Sequence, residues 1–512
     1  MKKISLMLVF IGTVLYSKVC AQLPQNTTAS FEAQGVATTK DAVPFWMRSN
    51  RYGSIPLPGQ SASFLAAIRK EYAIKQSNSQ DYRKRILEWG YGLEVRANVG
   101  NSSNLQVIEA NIKTRWKIFQ LKVGRSKDVM GFVGDTTLSS GSFAQSGNAL
   151  GIPKIEISIP DYWSLPFFNG LFAIKGTFSH GWMANLTPNF PVEDTKGVID
   201  PKLDVLDSYL HQKSFYGRLG RENWKLKLYG GFSHQATWGD EKKYYGNLYT
   251  LSKFQTFLYV AQGKVYTAPG IAGSKMGNQL GSIDVAGEYD FTNLNIKIYR
   301  QFFYDIGGLS KLANVSDGLN GITFKNKKFN EDAINGINWK TLLFEFFYSF
   351  NQGGVAGSPY TRSGPEDYYN NYFYKEGWSY KGEGLGNPLI TSRKYAKPGQ
   401  ESRSYANFIN NRVIAYHVGA DGKIKDLAVA FRATYSDNYG TFNTSPYYKL
   451  AGDTYVTQNE NLFKNVKQFS LKLETEKQWK NNTSFGIALG ADVGDLLPNS
   501  FGVILKLKKE IL

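Results

Sequence analysis

The chain has 512 residues, a formal net charge of +18 and a single cysteine. One cysteine rules out a disulfide framework, and no run approaches the ~18 consecutive apolar residues of a membrane-spanning helix. The basic excess favours acidic partners but is spread along the chain without the cluster of a nucleic-acid reader, so no nucleic-acid partner is expected.

The first residues read as an export signal. Met1-Lys2-Lys3 is basic, residues 4–15 are apolar, and Val19-Cys20-Ala21 places a small residue before Gln22. The pattern predicts a cleaved segment over 1–21, too short to cross a membrane as a helix. The competing reading is a lipid-accepting Cys20, against which Val19 is bulkier than the small residue such a site uses. Cleavage after Ala21 leaves no cysteine, and stability must then come from folding alone.

Residues 22–90 alternate poorly and hold Pro44, Pro56 and Pro58. Within them, 61–74 reads as a short helix, with Phe64, Leu65 and Ile68 on one face and Arg69 and Lys70 on another. This segment is expected to supply a small helical or irregular plug, together with the first strands. Residues 91–512 are expected to form the barrel itself.

From there on, period-two alternation recurs between Gly, Asn and Asp turns. Leu93, Val95, Ala97 and Val99 alternate with Glu94, Arg96 and Asn98, and a return strand starts at Leu105. The same pattern holds for Phe172/Ile174/Gly176/Phe178, for Leu226/Leu228/Gly230/Phe232, and for Ile283/Val285 against Asp284. It holds again for Phe431 against Arg432, for Leu471 and Leu473 against Lys472, and for Phe501/Val503/Leu505/Leu507 against Lys506 and Lys508. A soluble sandwich also alternates. Whole charges in mid-strand, aromatics at segment ends and a run without any linker favour a transmembrane barrel, whose closure removes every edge. The fold class expected is all-β: an antiparallel barrel of about 16–18 strands, each of about 9–11 residues. Long loops are expected near 237–280, 352–411 and 436–465.

Catalytic motifs are missing. No Walker A, His-Glu-x-x-His or nucleophile elbow occurs. His180, His211, His234 and His417 read as strand-end or lumen residues, with a Ser–His dyad as the alternative. Glu366-Asp367 reads as a solvated loop pair, with Ca²⁺ ligation as the alternative. No enzyme, cofactor or metal site is expected.

Two runs are candidates for binding sugar. Gly124–Asp128 leads into 136–148, where small hydroxyl and amide groups on a Gly-rich backbone can approach sugar hydroxyls closely. Arg125, Ser139, Ser140, Ser142, Asn148 and Lys154 are its candidates, and constriction of the lumen is the alternative. Residues 366–380 hold seven aromatics in fifteen residues. Tyr368, Tyr369, Tyr372, Tyr374, Trp378 and Tyr380 offer rings to stack on sugars, the alternative being that they pack on one another or on the barrel rim.

Several of these stretches together resemble the capsule assembly Wzi family. They are Phe45-Trp46-Met47-Arg48-Ser49-Asn50-Arg51-Tyr52-Gly53, the Leu138–Asn148 run with Ile152-Pro153-Lys154-Ile155, and Leu210-His211-Gln212-Lys213-Ser214. The aromatic loop with Gly377–Gly382 and Gly386-Asn387-Pro388 completes the set. The resemblance spans about residues 31–510. It implies a monomeric barrel of about eighteen strands in a Gram-negative outer membrane. It also implies N-terminal helices occluding the periplasmic end, and a lectin role: holding exported capsular polysaccharide on the cell surface rather than making or moving it. The chain departs from many outer-membrane barrels in ending Glu510-Ile511-Leu512 rather than on an aromatic. The partners expected are acidic capsular or other surface polysaccharide, outer-membrane lipid and lipopolysaccharide, and the barrel-insertion machinery. The alternative function is a porin with a basic, anion-favouring lumen.

Overall fold

The computed structural model describes residues 24–73, 87–133, 135–183, 185–188, 205–269, 271–305, 307–353, 366–400, 406–445 and 462–511. The expected export signal over 1–21 lies outside these residues. Among them, eighteen strands form one antiparallel sheet in which each strand pairs with its neighbours in the chain. The first nine are β1 (Thr27–Thr38), β2 (Ser61–Lys70), β3 (Leu87–Gly100), β4 (Asn104–Trp116), β5 (Phe119–Arg125), β6 (Lys154–Ser164), β7 (Phe172–Trp182), β8 (Tyr209–Leu219) and β9 (Leu226–Trp238). The rest are β10 (Asn278–Asp290), β11 (Leu294–Tyr304), β12 (Gly318–Asn326), β13 (Ile337–Tyr348), β14 (Val413–Ile424), β15 (Leu427–Asn438), β16 (Val466–Trp479), β17 (Thr483–Gly494) and β18 (Ser500–Glu510). β1 pairs with both β2 and β18, which closes the barrel and leaves no edge.

Two details differ from the sequence reading. Residues 61–70 are a strand, β2, and not a helix. Ser61 and Ser63 turn inward and are buried, while the register fixes the segment between β1 and β3. Pairing on both sides overrides the helix propensity of its alanines. The boundary expected at residue 90 also falls inside β3, near its start.

Alternation sorts the side chains as expected. Ile283, Val285, Ile298, Phe501, Leu505 and Leu507 are exposed on the outer wall, whereas Arg96, Asn98, Asp284, Glu345 and Lys472 are buried within. Near one end, Trp89, Trp116, Phe119, Trp224, Phe291 and Trp479 form an exposed aromatic girdle. That end carries short turns at 117–118, 291–293, 425–426 and 480–482. Asn481 and Asn482 take left-handed backbone there (φ 58° and 53°), which their short polar side chains tolerate.

The opposite end carries the long connections 39–60, 126–153, 183–208, 239–277, 349–412 and 439–465. Within 39–60, α1 (Phe45–Arg48) is a single buried turn. It enters the lumen from the long-loop end, and among the described residues it is the one helical turn in the N-terminal region where the family resemblance implied helices. The loop is stitched to the last hairpin: Phe45 N donates to Asp492 Oδ2 (2.8 Å), Ser500 Oγ to the Ala42 carbonyl (2.7 Å), and Phe501 N to Thr39 Oγ1 (3.0 Å). Gly490 and Gly502 leave room for it, since a Cβ at either would fall within 3 Å of Met47 or Pro44.

The 239–277 connection holds two helices, α2 (Glu241–Tyr245) and α3 (Lys253–Gln262). Ser252 and Gln255 form a capping box that starts α3. This helix turns back over the outer wall, where Phe257 meets Phe178, His180, His211 and Trp238. His180, His211 and His234 thus occupy outward-facing positions beside this helix, and only His417 of the four faces the lumen, where its Nε2 donates to the Leu138 carbonyl (2.7 Å) and its Nδ1 pairs with the Thr434 hydroxyl (2.7 Å).

Candidate functional site: a loop plug and an aromatic rim

Three connections fold together inside the mouth of the barrel. The 126–153 segment is anchored on β13 by Glu345, which accepts from Ser139 Oγ (2.6 Å), Ser140 N (2.7 Å), Ser140 Oγ (2.6 Å) and the Tyr299 hydroxyl. Ser142 accepts from Gln301 Nε2 (3.1 Å) and donates to the Met130 carbonyl. Phe143 stacks on Phe303 at 4.1 Å. Lys154 is buried between Asp128 (3.0 Å) and Glu156 (2.8 Å). Burial pushes the Asp128 carboxyl up, but the Lys154 and Lys122 ammonium groups outweigh it and hold it well below the usual carboxylate range.

The aromatic loop closes over this segment. Trp378 Nε1 donates to the Ala144 carbonyl (2.8 Å), and the Tyr369 hydroxyl donates to the Phe143 carbonyl while accepting from Asn387 N (2.8 Å). Gly386 sits so close to Tyr369 and Phe143 that a Cβ there would lie 2.0 Å from the phenol oxygen. Tyr368 donates to Asp317 (2.7 Å), Tyr374 to the Gly239 carbonyl (3.4 Å), and Arg125 reaches the Tyr380 hydroxyl (3.2 Å). Burial pushes the Tyr368 and Tyr369 phenols well above their ordinary value, so both stay neutral donors.

The third connection is the 39–60 loop. Tyr52 N donates to the Gly147 carbonyl (2.8 Å), Asn50 Nδ2 to the Ser140 carbonyl (3.2 Å), and Asn50 N to Asn148 Oδ1 (3.2 Å). Asn148 in turn donates to the Gly384 carbonyl (3.1 Å). Trp46 lies beneath, donating to Thr434 Oγ1 (3.0 Å), with the Arg432 guanidinium 5.0 Å from its ring.

The sequence-derived sugar candidates therefore do come together, but mostly as packing. Ser139, Ser140, Ser142, Asn148, Lys154, Tyr368, Tyr369, Tyr374, Trp378 and Tyr380 are buried in the plug, where they have no face to offer a polymer. Arg125 is half-buried. Tyr372 alone among the twelve is exposed, at 59%.

Tyr372 belongs to a rim that the sequence reading missed. Its hydroxyl is 3.3 Å from Ser274 Oγ. Phe373 beside it packs on Tyr244 at 4.4 Å and stacks with Tyr245 at 5.9 Å. A small cavity of about 30 Å³ opens among Tyr245, Ser274, Lys275, Asn371 and Tyr372. Lys242, Lys243, Lys253 and Lys264 are exposed nearby on the same connection. The available signal was Glu241-Lys242-Lys243-Tyr244-Tyr245, a smaller copy of the aromatic loop's mixture. Rings beside ammonium groups and amides can stack on pyranose faces and attract carboxylates. Among the described residues, no three His, Cys, Asp or Glu side chains gather as a metal site.

The aromatic loop is also pinned by acid. Glu366 accepts from Asp305 N (2.8 Å), Gly307 N (2.7 Å), Gly308 N and Asn314 Nδ2 (3.0 Å). Burial, with Glu366 beside it, raises the Asp305 carboxyl well above its usual range, and burial raises Asp317 to about 7. The other ionisable neighbours are Asp367, Tyr369 and Lys275 around Asp305, and Tyr348, Tyr368, Arg300 and Arg412 around Asp317. Folded pKa values above the unfolded ones mean that the folded loop holds extra protons. Its stability is full below about 4 and falls as pH rises through about 7. Amide exchange at 366–380 is expected to accelerate between about pH 5 and about 8, and Asp317→Asn is expected to flatten that rise.

No family model matches the chain, and no curated protein matches it. Among solved structures, it is similar to Wzi, an outer-membrane protein involved in group 1 capsule assembly in Escherichia coli and described as a carbohydrate-binding β-barrel. The TM-score is 0.52 at 10% identity, over 93% of this chain and 83% of that one. OccAB2 of Acinetobacter baumannii gives 0.43 at 11% identity, over 95% and 98% of the two chains. OprD of Pseudomonas aeruginosa gives 0.41 at 10% identity, over 95% and 94%. The likeness is one of fold: the chain is a closed, eighteen-stranded barrel of the outer-membrane type, similar in architecture to Wzi.

Proposed function

We propose that this barrel sits in the outer membrane with its long loops outward and retains acidic surface polysaccharide, capsular or related, at the aromatic rim. The observation that carries the reading is the plug. Three connections fill the mouth through buried hydrogen bonds, which turns that end from a pore into a surface. Short turns and the free ends of β1 and β18 at one side, long loops at the other, match the periplasmic and extracellular ends of bacterial barrels. Tyr372 and its neighbours with Lys242 and Lys243 form the contact, and weak contacts repeated along a polymer supply avidity. The role is binding without catalysis, by a monomer that relies on the barrel-insertion machinery and meets lipid and lipopolysaccharide along its outer wall.

Deleting the gene in its host is expected to release polymer into the medium while total synthesis stays normal. A Tyr372→Ala, Lys242→Gln, Lys243→Gln variant is expected to lower the cell-bound fraction several-fold, with normal amounts of folded barrel. An unchanged bound fraction in the deletion strain would sink the reading. Single-channel conductance would then test the porin alternative, for which the plug predicts near silence.

A further inference from the structure

Beneath the plug, on its short-turn side, the lumen holds a second cavity of about 280 Å³. Met47, Asn50 and Tyr52 of the 39–60 loop roof it, and its walls come from the first four and the last three strands, with Lys127 of the 126–153 segment. Its lining carries seven Lys or Arg side chains and three Glu. Glu109 and Glu510, just outside the lining, pair with Arg69 and Lys508. Even with both counted, the positive charges outnumber the negative ones by two.

The excess is concentrated at two places. Glu474 is shared by three cations: Lys472, Lys506 and, at 3.1 Å, Arg51. Across the cavity, Arg96 is 2% exposed and, among the described residues, donates only to the neutral groups Ser54 Oγ (3.2 Å) and Gln34 Oε1. Its buried Nε has no hydrogen-bond partner among those residues. Glu94 pairs with Arg69 and with Lys127 (2.7 Å), and Glu32, the last carboxylate of the lining, accepts from Gln34. A guanidinium enclosed in this way, beside three ammonium or guanidinium groups sharing one acid, is a preformed receptor for negative oxygen atoms.

We propose that this chamber is an oxyanion site, taking the carboxylate or phosphate of a sugar-sized ligand between Arg51, Arg96, Lys472 and Lys506. The forked donors of Arg96 and Arg51 suit a planar or tetrahedral oxyanion, and Lys472 and Lys506 supply point charge. The site does not depend on the rim. A uronic acid of a surface glycan and a phosphate, free or from a lipid headgroup, present the same chemistry.

Calorimetric titration of the full-length protein in detergent, at constant ionic strength, tests the site with galacturonate, inorganic phosphate and galactose. Saturable binding of at least one anion, with none of galactose, is expected. Preference for galacturonate assigns the site to glycan, and preference for phosphate to a phosphorylated ligand. Arg96→Gln and Lys506→Gln are each expected to weaken binding about tenfold or more, while Lys328→Gln, exposed on the 327–336 turn, leaves it unchanged. Folding of each variant is read from the heat-dependent gel mobility of the barrel. Should a variant fail to fold, the contrast between the anions and galactose on the unaltered protein still decides. No saturable anion binding, or equal affinity in a folded Arg96→Gln or Lys506→Gln protein, overturns the proposal. Loss of polymer retention in the rim variant with intact anion binding separates this site from the rim.

Discussion

Glu345→Ala is expected to convert a nearly silent barrel into a conducting one. The carboxyl group holds Ser139, Ser140 and Tyr299 at once, from a wall position facing the centre of the plug. Each buried donor left without an acceptor costs about 1–3 kcal/mol, and some of the freed hydroxyls will find other partners. A net loss on the order of 4 kcal/mol in plug docking shifts the open population by about a thousandfold. The barrel should survive, because its strands pair independently of the plug and its wall contacts are unaltered. Conductance in planar bilayers measures the effect directly, and Glu345→Gln, which keeps acceptor oxygen, should be intermediate. An alanine variant as silent as the parent would show that the 126–153 segment is held by its other contacts.

The second large effect is expected at Trp378, which is fully buried at the meeting of two loops. Truncation to alanine removes a large ring from a packed interior, costing about 3–5 kcal/mol. It also removes the donor to Ala144, the only bond through which this indole ties the aromatic loop to the 126–153 segment. Hydrogen exchange should rise in both loops together, at 138–150 as well as 366–390, with the strand amides unaffected. Protection lost in one loop but kept in the other would refute the single-plug description. Tyr372→Ala makes the contrast: that ring is exposed, so the substitution should leave exchange unchanged and act on polymer retention alone.

The barrel was legible in the chain because its wall obeys one simple rule. Phe501, Leu505 and Leu507 had to face lipid if Lys506 and Lys508 faced water, and the strand obeys. The rule failed at residues 61–70, where Leu65 and Ala67 on the inward face and Ala62 and Ala66 on the outward one blur the contrast that period two would register. The plug was legible only in composition. Seven rings in fifteen residues serve equally well for stacking on sugars or on each other, and the choice depends on loops some two hundred residues away, such as Phe143 against Tyr369. The abundant Asn, Ser and Gly around them were the better clue. A buried loop must satisfy its own backbone, and Asn387, Asn148 and Asn50 do so here. The cationic chamber was foreshadowed by charges in mid-strand. Its membership was not, since Arg96 and Lys506 become neighbours only when the first and last strands meet.

That meeting sets an order of events in time. The 39–60 loop emerges early from the ribosome, yet Phe45 must find Asp492, 447 positions later, and Ala42 must find Ser500. Contacts so distant in sequence form late, because the whole intervening chain must be ordered first. The amino-terminal loop therefore waits, undocked, until the carboxy-terminal hairpin has closed the cylinder. A barrel stalled before its last hairpin would keep its mouth unlatched, so docking of Phe45 on Asp492 reports completed assembly.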